Sequence, residues 1–198
     1  LEAQGQGAGG MNAPVKLHLA QQGVDETRPL GLEPYYDVQR FYFREARLQN
    51  RRQARLWLES MVDSEVHYWL PVFEERYIKD PRPAPTIDDP AVYSDGYDDL
   101  HHRIERLETG LVWMEDPPGR LRFLVSNIEA YHTGDPAVIG VYCNVHVYRN
   151  RRQRDEYHHF YGREDLLRRD QSGALRLYRR KILLDQRVVL DKNLYLFL

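Results

Sequence analysis

Eight histidines and a single cysteine are the residues best able to do chemistry in this chain. Zinc or non-haem iron sites assemble histidine with cysteine or carboxylate at chelating spacings. The close histidine pairs, His101-His102 and His158-His159, are adjacent in sequence, and adjacent side chains diverge on a helix or a strand. No two histidines stand two to five residues apart, so HExxH and related motifs are absent. A facial triad of two histidines and a carboxylate could form only from distant segments, for example His101, His146 and Asp99. The acidic residues Asp88, Asp89, Asp95, Asp98 and Asp99 lack the EF-hand spacing and its distal glutamate, and read as turn and cap residues. One thiol, Cys143, cannot make an internal disulfide, a CxxC pair or a Cys-ligated iron–sulfur cluster. GxSxG and Walker-type phosphate loops are also absent. Gly5-x-Gly7-x-x-Gly10 matches the dinucleotide fingerprint in form, but no apolar strand precedes it.

These residues sit on elements of two periods. Val38, Phe41, Tyr42, Glu45 and Leu48 recur at three- and four-residue steps after Pro34, which predicts a helix with one buried face. Ala54, Trp57, Leu58 and Met61 predict a second helix, and Val66–Leu70 a strand ending at Pro71. Residues 80–96 hold four prolines and read as a long excursion. Asp98–Glu108 reads as a short amphipathic helix capped by Asp98 or Asp99.

Beyond residue 120 the period changes to two. Residues 121–131 read as a strand, followed by a turn over His132–Pro136. From Ile139 to Val147 every odd position is apolar, which puts one strand face, with Cys143 on it, against a core. Asn150–Arg154 reads as a polar turn, and Tyr157–Leu167 and Leu175–Leu184 as further strands. Helices followed by a meander predict an α+β fold, with a curved antiparallel sheet around the N-terminal helices. Residues 1–30 read as a flexible extension and 31–198 as a single domain.

The 198 residues carry 28 basic and 30 acidic side chains, a formal charge of -2, which disfavours a nucleic-acid partner. No apolar run is long enough to cross a bilayer, and no apolar signal core is present, so the expected setting is cytoplasmic. Two features bear on assembly: the basic turn Arg149, Arg151, Arg152 and Arg154, which could bind an anion but reads rather as a solvated or subunit-facing cluster, and the apolar end Leu194–Leu198, which must dock on its own sheet or on another chain.

Six stretches in order resemble the small (beta) subunit of bacterial aromatic-ring-hydroxylating dioxygenases, the Rieske non-haem iron oxygenases. They are Gln39–Leu48, Trp57–Val72, Trp113–Asn127, Val147–Asn150 with Asp155, Phe160–Asp170 and Arg179–Leu198. Gly119 and Phe123 depart from the family's usual Ser and His, at positions without a catalytic role there. The resemblance implies a cone-shaped fold like those of nuclear transport factor 2 and scytalone dehydratase. It implies a mainly structural subunit with no cofactor of its own, in an assembly of three alpha and three beta chains. The alpha subunit would hold the Rieske [2Fe-2S] cluster and a mononuclear Fe(II), with NADH-derived electrons arriving through a reductase and ferredoxin. Expected subunit contacts are Arg149, Arg151, Arg152, Phe197 and Leu198. The alternative is a stand-alone dehydratase or isomerase of the same fold, with His101, Asp99, His146 and Tyr68 converging in a pocket.

Overall fold

Leu32–Asn50 forms the first helix, α1, and buries Val38, Phe41, Tyr42, Glu45, Leu48 and Gln49, the stripe expected from the spacing plus Gln49. The turn after it carries Arg52 at a left-handed φ of 56°, and α2 (Ala54–Met61) then buries Trp57, Leu58 and Met61. This is a computed structural model, in which residues 23–72, 77, 79–111, 117–151, 155–186 and 197–198 are described.

Strand β2 (Val62–Pro71) follows α2 directly, four residues earlier than the apolar run suggests. Its start is hidden in sequence because Ser64 and Glu65 are exposed and interrupt the alternation. The proline-rich excursion ends in a short strand, β3 (Ala91–Asp95), paired antiparallel with β2. Helix α3 (Tyr97–Glu108) is capped at Gly96, not at Asp98 or Asp99. Asp99 is the third helical residue, and its Oδ2 accepts the Gly96 N–H at 2.9 Å.

The four-strand meander is present as β4 (Arg120–Thr133), β5 (Val138–Arg151), β6 (Asp155–Arg169) and β7 (Leu175–Leu184). Two features were not legible as pattern. Val24–Pro29 forms β1 and pairs with β4 near Thr133 and Tyr131, so these residues of the supposed extension belong to the fold. The seven strands also run β1-β4-β5-β6-β7-β2-β3 with one parallel contact, β2 beside β7. A parallel neighbour requires a long crossover, and β3, α3 and three meander strands supply it. In β4 the register with β5 shifts between Ser126 and Glu129, and Asn127 there has φ 51°. Such a bulge bends a strand and increases its twist. The helices occupy one face of the bent sheet, over a core including Trp57, Tyr68, Val145, Leu167, Leu177 and Ile182.

Candidate functional site

The interior of the fold holds ions as well as hydrocarbon. Glu45 projects from α1, Arg163 and Asp165 from the inner face of β6, and Arg180 from β7; each is at most 2% exposed. Glu45 Oε1 accepts from Trp57 Nε1 (2.9 Å) and Arg180 Nη1 (2.8 Å), and Oε2 from Arg163 Nη1 (2.7 Å) and Arg180 Nη2 (3.1 Å). Arg180 also donates to both Asp165 oxygens, from Nε at 3.0 Å and Nη2 at 2.7 Å, and Tyr42 donates its hydroxyl to Asp165 Oδ2 at 2.8 Å. Two carboxylates thus balance two guanidiniums. Burial alone would raise the Glu45 pKa, but Arg180 and Arg163 hold it down at about 2. A carboxylate saturated by donors and ionised so firmly is a poor proton shuttle near neutral pH. Burial, with Asp165 nearby, pushes the Cys143 thiol up to about 12, so it is a buried packing group and not a nucleophile.

The residues of the dehydratase alternative do not converge. Tyr68 is fully buried and donates its hydroxyl to the Leu198 carbonyl. His101 Nε2 meets Arg55 Nη1 at 2.8 Å, between α3 and α2, and Asp99 caps α3. His146 lies on the opposite face of the sheet from the helices, stacked on Phe160. The triad His101, His146 and Asp99 is therefore not assembled, and no group of three or more metal-ligating side chains occurs among the described residues. Asp95 pairs with Arg103 at 2.6 Å, and Asp89 accepts from Thr86 within its turn.

The expected contact residues are not an exposed surface in the single chain. Arg149, Arg151, Phe197 and Leu198 are all buried, at 2%, 8%, 4% and 0% exposure. Arg149 and Arg151 point inward because they continue the odd, core-facing positions of β5, which runs through the supposed turn. Of the apolar end only Phe197 and Leu198 are among the described residues, and both seat in this chain's own core: the Phe197 ring lies 5.2 Å from Trp57. Arg152, Arg154 and the Gly5–Gly10 motif lie outside the described residues.

The surface that sequence reasoning missed is the outer face of β4–β6. Cross-strand pairing aligns Leu124, His146 and Phe160 in one row and Arg122, Tyr148 and His158 in the next. Leu124 and Phe160 are 53% and 47% exposed. The His146 and Phe160 rings stack at 4.2 Å between centroids. His146 Nε2 is 2.8 Å from His158 Nδ1, so one of the two nitrogens carries the shared proton. Partial burial and the neighbouring His158 lower the His146 pKa, favouring neutral imidazole. A signal was available: the even positions of β5 are Tyr142, Asn144, His146 and Tyr148, not the Lys and Glu of an ordinary solvated face. Exposed aromatic rows with few charges are the composition of a protein contact surface.

Comparison with known proteins decides the family. The ring hydroxylating beta subunit family matches residues 44–191 of the 198. The chain belongs to that family. A chain of naphthalene 1,2-dioxygenase, solved with indole in the active site, is 25% identical to this beta subunit. It superposes with a TM-score of 0.76 over 87% of this chain and 91% of the other. A beta subunit assigned to an aromatic-ring-hydroxylating dioxygenase from Novosphingobium aromaticivorans matches at TM-score 0.58 and 16% identity, covering 76% of this chain and 88% of its own. A protein from the same organism assigned as a scytalone dehydratase matches at 0.55 and 12%, over 77% and 85%. At these lower identities the likeness is one of fold, and it agrees with the expected cone-shaped α+β architecture.

Proposed function

We propose that this beta subunit is a non-catalytic part of its dioxygenase, organising the iron-bearing alpha subunits in an assembly of three alpha with three beta chains. The alpha subunit supplies the Rieske cluster and the mononuclear iron, and NADH supplies electrons through reductase and ferredoxin, in the cytoplasm. The observation that carries the reading is the interior of the fold. Its centre is filled by the neutral Glu45–Arg163–Arg180–Asp165 cluster and by Phe197 and Leu198, where a catalytic pair would need open space. The donor set agrees: a Rieske cluster takes two cysteines and two histidines, and this sequence has one cysteine. The residues here do not fit that group, and no step of oxygen chemistry is assigned to them.

The proposed contact with the alpha subunit is the outer sheet face around Leu124, His146 and Phe160, in place of the buried arginines and the apolar end. Co-expression of both subunits with a tag on the beta chain tests it. Wild type should retain a larger, red-brown partner, and Phe160→Glu combined with His146→Glu should release most of it while the beta chain stays folded. Undiminished retention by that double variant would remove the face from the interface. A tagged wild-type chain that brings down no coloured partner would defeat the subunit role itself.

A further inference from the structure

Strand β4 has a neighbour along its whole length on one side only. β5 pairs with it from Arg120 to His132, but β1 reaches it only at Tyr131 and Thr133. Among the described residues no other strand lies along that edge. An antiparallel strand turns the N–H and C=O of alternate residues away from its neighbour. Here the outward set is Leu121, Phe123 and Val125, because the Phe123 N–H donates to Asn50 Oδ1 at 2.7 Å. Asn50 closes the edge at one end; at the other the Tyr35 hydroxyl donates to the Ile128 carbonyl at 2.9 Å. Between them the Phe123 carbonyl and both main-chain groups of Val125 have no partner among the described residues. From Phe123 to Asn127 this open edge is ~13 Å long by the usual rise of a strand.

In front of it lies a cleft of about 480 Å³ between β4 and α1. Arg47 and Arg51 border the cleft from α1 and Arg122 from β4, and no carboxylate lines it. None of the three side chains has a hydrogen bond or ion pair with a described residue. In a chain of formal charge -2 they form a local cationic excess. Two independent observations therefore select one occupant. Open main-chain donors and acceptors are completed by another peptide backbone; a phosphate chain has no N–H for the Phe123 and Val125 carbonyls. Unanswered guanidiniums favour carboxylates, which match their fork of donors. We infer that this groove takes an extended acidic segment of a partner protein, added to β4 as an edge strand. Successive side chains of that strand point to opposite faces, so neighbouring carboxylates reach Arg47 and Arg51 on one side and Arg122 on the other. The groove borders the outer sheet face at Leu124, but the inference does not rest on the subunit reading.

The test titrates the purified full-length chain with a fluorescein-labelled, amidated hexapeptide of sequence EVEEVE, read by anisotropy at neutral pH and low salt. This peptide carries glutamates on both faces of an extended strand. Saturable binding of one peptide is expected, and QVQQVQ should bind about tenfold more weakly. Two further versions are N-methylated, one at the odd and one at the even positions. Only one edge of an added strand faces β4, so one version should bind like the parent and the other about fivefold more weakly. Arg47→Gln combined with Arg122→Gln should weaken EVEEVE about tenfold and leave the melting temperature unchanged, because neither side chain is bonded to a described residue. Failure of wild type to bind EVEEVE overturns the inference, as does undiminished binding by the double variant. Equal binding of the two methylated versions would make the site a charged surface and not a strand acceptor, and also overturns it. Tighter binding of a hexathymidylate strand than of the peptide overturns it in favour of a polyanion.

Discussion

Glu45 occupies a place in α1 that spacing assigns to an apolar residue, and the folded chain meets it with Arg163 and Arg180 at 2.7 and 2.8 Å. Burying an ion pair brings little net stability, but removing one partner strands the other in a low dielectric. Arg180→Met is therefore expected to cost about 3–5 kcal/mol, measured by urea denaturation of the purified chain. Glu45 also makes stability depend on acid. Its carboxyl titrates at about 2 when folded and near 4.5 ordinarily, so the unfolded chain takes up the proton first. The contribution is fully present above pH 4.5 and is lost as pH falls towards 2. It is on the order of 3 kcal/mol, and a series of thermal melts from pH 7 to 3 should show a smaller acid loss in Glu45→Gln than in wild type. Cys143 gives a simpler check. With its thiol buried and its pKa raised to about 12, native protein should react negligibly with a disulfide reagent at pH 8, and urea-unfolded protein should release one equivalent.

At the scale of elements, the bend in β4 depends on Asn127. Asparagine tolerates its left-handed φ of 51° better than other non-glycine residues, and a β-branched side chain does not. Asn127→Val is expected to destabilise by about 1–2 kcal/mol and Asn127→Gly to be nearly neutral, by denaturant titration. A loss of equal size in both would mean that the asparagine side chain matters and not the backbone. The Val24 side chain of β1 can lie over Gly140 of β5 because that glycine has no side chain: a Cβ there would meet Val24 Cγ1 at 2.8 Å and Cγ2 closer still. The first strand is thus held by a residue more than 100 positions away, which explains why its six residues carry no obvious strand signal of their own.

For the whole molecule, the decisive contrast is between the two faces of the sheet. The inner face is closed by helices, the ionic cluster and the apolar end, and its arginines are structural. A charge reversal at Arg149 would bury a carboxylate inside the chain and disturb folding before it reported on assembly. The outer face keeps its aromatic and histidine rows exposed, so its substitutions can separate assembly from folding, and the Phe160→Glu, His146→Glu pair is placed there for that reason.

Local periodicity was enough for most of this. The stripe through Val38, Phe41, Tyr42, Glu45 and Leu48, the alternation from Ile139 to Val147 and the single cysteine follow from spacing and counting, because a helix or strand face is set by residues a few positions apart. The α+β class and the family resemblance are also properties of the linear order. Contacts between distant segments were not legible. The parallel pairing of β2 with β7, the capture of β1 by β4 and the seating of Phe197 on Trp57 each join segments whose partners leave no local period. Glu45 shows the division most clearly: its spacing placed it on the buried face, but only the fold brought the two guanidiniums that let a carboxylate remain charged there.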